Sequence, residues 1–164
     1  MSFQKQVNAN QALGNVGQIS KAHHSFLNVI PAIAADDFVK VGSFVQSSTT
    51  ATNENEVIGA SGKQITGSIL GVVVRDSLKV TGDSTPTLEI KKGENCAILT
   101  EGSIFIEVSV EAKKGKYVML QTTDGALGFY DSSTQSGYTY TGFRVSKGND
   151  TATAGLIEIT TARA

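Results

Sequence analysis

The chain has 164 residues, enough for one domain or one domain with an arm, and a folded body of that size buries a core without disulfides or metal. Hydrophobic residues make up 40%, charged residues 18%, and 14 Lys+Arg against 15 Asp+Glu leave a formal charge of -1. That balance carries no electrostatic footprint for nucleic acid and no basic cluster suited to an anionic membrane. A single cysteine, Cys96, excludes an internal disulfide framework and a multi-cysteine zinc site. No secretory signal is read at Met1–Gln6, and no apolar run reaches the about 20 residues of a membrane span.

Residues 1–35 are expected to form an N-terminal arm. Val7, Leu13, Val16, Ile19 and Phe26 recur without a period of 2 or 3.6, and Gly14 and Gly17 break any helix. The apolar content argues against a solvated tail, so the arm is expected to lie on the body or on a neighbouring subunit. From residue 36 to residue 164 the pattern is β. Phe38–Val45 is β-branched and aromatic, with Gly42 marking a bulge or a close approach. Residues 47–56 are polar and read as an exposed loop. Ile65–Val74 is the next strand region, followed by Leu88–Lys91 and the short apolar Cys96–Leu99.

Ile104–Glu111 is the clearest strand: Ile104, Ile106, Val108 and Val110 share one face, and Glu107, Ser109 and Glu111 the other. Tyr117–Leu120 and Leu127–Tyr130 flank Thr123-Asp124-Gly125-Ala126, a hairpin signal. A second polar tip, 131–137, precedes the strand Tyr138–Val145, and Leu156–Thr160 is the last strand. Short strands at regular spacing with glycine-rich turns predict an all-β fold, a single β-barrel or jelly-roll-like sandwich with an extended N-terminal arm.

Catalytic equipment is thin. His23-His24 have no Cys or Asp/Glu beside them to complete a metal site, so no metal and no cofactor is expected. Asp36-Asp37 are neighbours on an extended chain and point apart, which suits a turn before the first strand better than a shared ion. Ile58–Gln64 only superficially resembles a phosphate loop: its glycines are too close and Gln64 stands where Ser or Thr is needed. Cys96 sits among apolar neighbours as a structural thiol, and Asn149-Asp150-Thr151 reads as an ordinary turn. Glu107 and Glu111 lie about 13 Å apart on an extended strand, too far for a glycosidase pair. A non-enzyme is expected.

Ala12–Ser20 in the arm, Val39–Val45, Ile69–Arg75, Leu88–Leu99 and Gly102–Val108 follow one another as five β-type motifs. In that order they carry a resemblance to the capsid decoration, or structural cement, proteins of tailed bacteriophages. It implies a homo-oligomer, dimer or trimer, in the virion, on the outer surface of the phage head, clamping neighbouring subunits of the major capsid protein. In that setting the arm residues Val7, Leu13, Val16, Ile19 and Phe26 are expected to bury themselves on the capsid or on a sister subunit. The competing reading is a carbohydrate- or receptor-binding β-module using Tyr130, Tyr138 or Tyr140. A hydrolase with an unrecognised site is a third.

Overall fold

The computed structural model describes residues 14–20, 27–49, 53–75, 88–149 and 154–161. Twelve strands occur among them: β1 (Asn28–Ala34), β2 (Val39–Lys40), β3 (Phe44–Ser47), β4 (Glu56–Gly59), β5 (Ile69–Val73), β6 (Glu89–Ile90), β7 (Asn95–Glu101), β8 (Ser103–Val108), β9 (Tyr117–Gln121), β10 (Leu127–Tyr130), β11 (Tyr138–Lys147) and β12 (Gly155–Thr161). Five close into a barrel in the order β1-β4-β3-β5-β7, and five form an open sheet in the order β10-β9-β11-β12-β8. The pair β2-β6 makes a small separate ribbon. The fold is all-β, as the sequence pattern implies.

Adjacent residues of the barrel strands serve two different cores. Val45, Val73 and Ile98 point inside the barrel with Ala32, Ala34 and Val57, small side chains that fill a narrow five-stranded interior. Their neighbours Phe44, Val72 and Leu99 point outward onto Ile104, Ile106, Val118, Phe143, Ile157 and Ile159 of the open sheet. The rings of Phe44 and Phe143 meet edge to face, centroids 5.7 Å apart, across this junction. Strands buried on both faces read as continuous apolar runs, which is why Gly71–Val74 and Cys96–Leu99 lack alternation.

Several expected boundaries move. The body begins at Asn28, inside the segment expected to be arm, because β1 is a barrel strand paired with β7 and β4. Pro31 disguises it. Ile33 N and Ala35 N donate to Asn55 O and Val57 O, so the Pro31 nitrogen, in the same row, falls before β4 begins and no ladder bond is lost. The Phe38–Val45 run is interrupted by a turn at 41–43. The strand expected to reach Glu111 ends at Val108; the chain bends at Ser109-Val110, and Val110 is 42% exposed instead of sharing the core face. The strand β4, at the end of the polar tract, has no counterpart in the sequence reading.

The hairpin is where the sequence places it: β9 and β10 pair in regular register, Leu127 opposite Leu120 and Tyr130 opposite Tyr117. Gly125, at a positive φ of 66°, occupies the turn position that only glycine fills without strain.

Candidate docking surface

The described segment 14–20 turns at Val16-Gly17 and then bridges to β8 at Ile19. Gly17 N donates to Phe105 O, Phe105 N to Gln18 O and Ser20 N to Ser103 O, at 2.8, 3.0 and 2.8 Å. Ile19 bridges to Ile104 and packs against the core between the sheets. The segment thereby covers the β8 edge of the open sheet, and Arg75 N donates to Gly17 O to tie it to the barrel as well. Gly14 lies on the ring of Phe105, where a Cβ would come within 2.5 Å of Cδ2. Phe105 is thus buried although it points away from the core.

Of the five expected arm anchors, two are described. Val16 is half-buried, close against Gly42, and Ile19 is held on this chain's own core. Val7, Leu13 and Phe26 lie outside the described residues, as do His23 and His24.

The residues that a catalytic reading singles out are engaged in structure. Asp36 Oδ1 accepts from Phe38 N and Gly59 N, at 3.1 and 3.3 Å, and Oδ2 pairs with Lys63 Nζ. Asp37 Oδ1 turns elsewhere and accepts from Lys92 N at 2.9 Å. Lys63 also lies 4.3 Å from the Phe38 ring centroid, so the lysine of the loop-like Ile58–Gln64 run is spoken for. Asn149 Oδ1 accepts from Ala112 N at 2.8 Å with its amide nitrogen buried, which makes it a tie between two strand ends. Cys96 is half-buried against the barrel core. Glu111 lies beyond the end of β8 and pairs with Lys113, while Glu107 stays on the strand. No group of three or more His, Cys, Asp or Glu that could hold a metal occurs among the described residues. A cleft of about 380 Å³ opens between barrel and sheet, floored by Phe44, Val108, Leu120 and Leu127, with Glu107 as its carboxylate.

What the sequence does not announce is the gathering of all four tyrosines on the outer face of β9-β10-β11. Tyr117 and Tyr130 are direct cross-strand partners, and Tyr138 and Tyr140 sit two apart on β11. A bulge in β11 places Arg144, after Tyr140, opposite Tyr117; Thr141 Oγ1 fixes it by donating to Val118 O at 2.7 Å. The Arg144 guanidinium lies 4.0 Å from the Tyr117 ring centroid, and its Nη2 donates to the Tyr117 hydroxyl. Tyr117 and Tyr140 pack edge to face at 5.4 Å, and Tyr130 leans on Tyr138 at 4.8 Å. Burial pushes the Tyr140 phenol above its ordinary value, with Arg144 beside it pulling the other way, first by hydrogen bonding and then by charge. The Tyr130 phenol is raised too, first by its hydrogen bond with Tyr138 and then by burial. Tyrosine and arginine in a packed cluster are the side chains that dominate protein–protein contacts.

Comparison with known proteins follows the same lines. Residues 3–162 match the model of the structural cement protein family (E217 gp24/Pam3 gp6). No curated protein sequence matches the chain. Among solved structures, a chain from the capsid of Myoviridae phage XM1 shares 19% identity with a TM-score of 0.58, over 98% of this chain and 97% of the other. The head fibre gp8.5 N base of bacteriophage phi29 shares 11% identity with a TM-score of 0.47, over 84% of this chain and 96% of its own.

Proposed function

The chain belongs to the phage structural cement protein family and is a component of the virion, and we propose that it attaches as a homo-oligomer to the outer surface of the head and clamps neighbouring major capsid subunits there. On this reading it works by contact alone, without an enzymatic step or a cofactor. Support comes from the way the arm is mounted. Residues 17–20 are hydrogen-bonded to β8 and Gly14 is seated on the ring of Phe105, so this part of the arm is held on the body. Ile19 and Val16 secure the mount, and Val7, Leu13 and Phe26 supply the apolar anchors for the capsid. Each such side chain contributes roughly 1.5–3 kcal/mol on burial, before ordering costs, so a few anchors multiplied by oligomerisation give firm attachment.

The test is co-sedimentation with undecorated heads, comparing the full chain with a Val7→Ser, Leu13→Ser, Phe26→Ser variant. The expected result is an unchanged circular-dichroism spectrum and weaker decoration. A variant that decorates heads as fully as the parent overturns the anchor assignment.

A further inference from the structure

The outer face of the open sheet is packed before any partner arrives. Val118 and Leu120 point into the core, so Met119 between them points the other way, yet it is 1% exposed. Tyr140 stands opposite it on one side and Gly128 on the other, and the Tyr130 and Tyr138 rings close over Gly128. The half-buried tyrosines therefore form a set surface with a small core of its own, one that loses little freedom on meeting a partner.

Positive charge gathers at one end of that face. Arg144 is exposed, and its cross-strand neighbours are Tyr117 and Thr160, neither of them acidic. The ring and hydroxyl of Tyr117 hold its guanidinium, which has no ion pair among the described residues. The turn Lys113-Lys114-Gly115-Lys116 is bonded to the end of β11, Gly115 N to Val145 O and Val145 N to Lys116 O, and this brings Lys114 against Gly148, beside Lys147. Lys113 pairs with Glu111 and Lys116 with Asp131, whereas Lys114 and Lys147 have no ion pair among the described residues. Glu158, opposite Lys147 in register, accepts from Ser20 and Ser146. In a chain of net charge -1, Arg144, Lys114 and Lys147 are segregated charge.

We infer that this face grips the head through an acidic segment of a capsid subunit, an Asp or Glu carboxylate on the Arg144 guanidinium and an apolar neighbour on the tyrosines. The inference rests on the head attachment proposed above and adds a second contact to that of the arm. Two observations select this occupant. One is charge: a guanidinium already oriented by Tyr117, with donors left over and Lys114 and Lys147 at the same end of the sheet, is complementary to a carboxylate. The other is direction. Ile104 and Ile106 point into the core, so Phe105, on whose ring Gly14 is seated, points to the tyrosine side of the sheet, and arm and tyrosines address the same surface. A sugar is a poorer fit, because it stacks on an open ring face: Arg144 covers that of Tyr117, and Tyr130 and Tyr138 lean on each other.

The full chain is to be bound to undecorated expanded heads by co-sedimentation, with sedimentation equilibrium on the free protein. Arg144→Gln is expected to weaken head binding at least about tenfold, and raising NaCl from about 50 to about 300 mM to weaken the parent about fivefold or more. Lys92→Gln, which removes one charge from the exposed turn after β6, is expected to bind like the parent. Excess poly-L-glutamate is expected to displace the parent from heads, and neutral dextran to leave it bound. That competition uses the unaltered chain and stands where a variant misfolds. Unchanged affinity in Arg144→Gln, or no displacement by poly-L-glutamate, overturns the face assignment and leaves the cement role intact. Displacement by dextran gives the face to a sugar, and an Arg144→Gln chain whose oligomeric state changes gives it to a second copy; each overturns the inference. A folded parent that binds no heads overturns it together with the attachment on which it rests.

Discussion

Gly17 and Gly42 lie back to back where the arm meets the barrel. A Cβ on Gly17 would come within 3.2 Å of Gly42 N, and a Cβ on Gly42 within 3.1 Å of Gly17 N. Both residues have positive φ, 74° and 77°. The approach lets Gly42 N donate to Val73 O and Arg75 N to Gly17 O, so the arm segment is fastened to barrel and sheet together.

Gly17→Ala is expected to loosen the arm. The left-handed backbone costs a non-glycine residue about 1–2 kcal/mol, and the new Cβ would lie 2.3 Å from Val41 Cγ1. Amide exchange at Ser20 and Phe105, whose N–H groups bond Ser103 O and Gln18 O, should accelerate while the β9-β10 hairpin keeps its protection. Equal protection in variant and parent would mean the glycine pair does not hold the arm.

Gln46 is fully buried and acts as a strut. Its Nε2 donates to Gln64 O at 3.0 Å, and its Oε1 accepts from Thr66 N and Gly67 N at 2.8 and 2.9 Å. These bonds serve the irregular run before β5. Gln46→Ala leaves those backbone groups unpaired and opens a cavity, with an expected loss of about 2–4 kcal/mol and a Tm lower by roughly 5–15 °C. Thermal unfolding followed by circular dichroism checks it; a shift within about 2 °C would show the run to be self-supporting.

The strut also shows where sequence reading stops. Nothing marks Gln46 apart from other polar residues of the tract 47–56 that follows it, because its role depends on Gln64–Gly67 coming alongside. The hairpin at Asp124-Gly125 was legible because turn chemistry is local, and the all-β class was legible from strand-like runs and glycine spacing. The Asp36-Asp37 turn was legible too, since adjacent residues point apart. β1 was hidden by Pro31, which is harmless only because β4 begins beyond it. The tyrosine cluster was hidden because Tyr117, Tyr130, Tyr138 and Tyr140 come from three strands, and their shared face depends on register and on the β11 bulge.

The Tyr140 hydroxyl is buried beside Arg144 and makes no hydrogen bond of full geometry among the described residues. Tyr140→Phe is therefore expected to keep or raise the Tm at pH 7, since it removes an unpaired polar atom and keeps the ring contact with Tyr117. Burial raises the folded-state pKa above the ordinary 10.0. A raised phenol pKa means the unfolded chain ionises first, so this contribution to stability is complete below pH 10.0 and is lost as pH rises through the folded value. The variant should show a shallower loss of stability above that pH. A lower Tm at neutral pH would indicate that the hydroxyl has a partner.

Clamping of neighbouring capsid subunits, as proposed above, would strengthen the phage head. The most direct measurement is the heat stability of undecorated expanded heads, followed by release of their contents, with and without saturating purified protein. Saturable binding and a higher disruption temperature are expected for the decorated heads. Binding with an unchanged disruption temperature, or no binding by the folded protein, would contradict it.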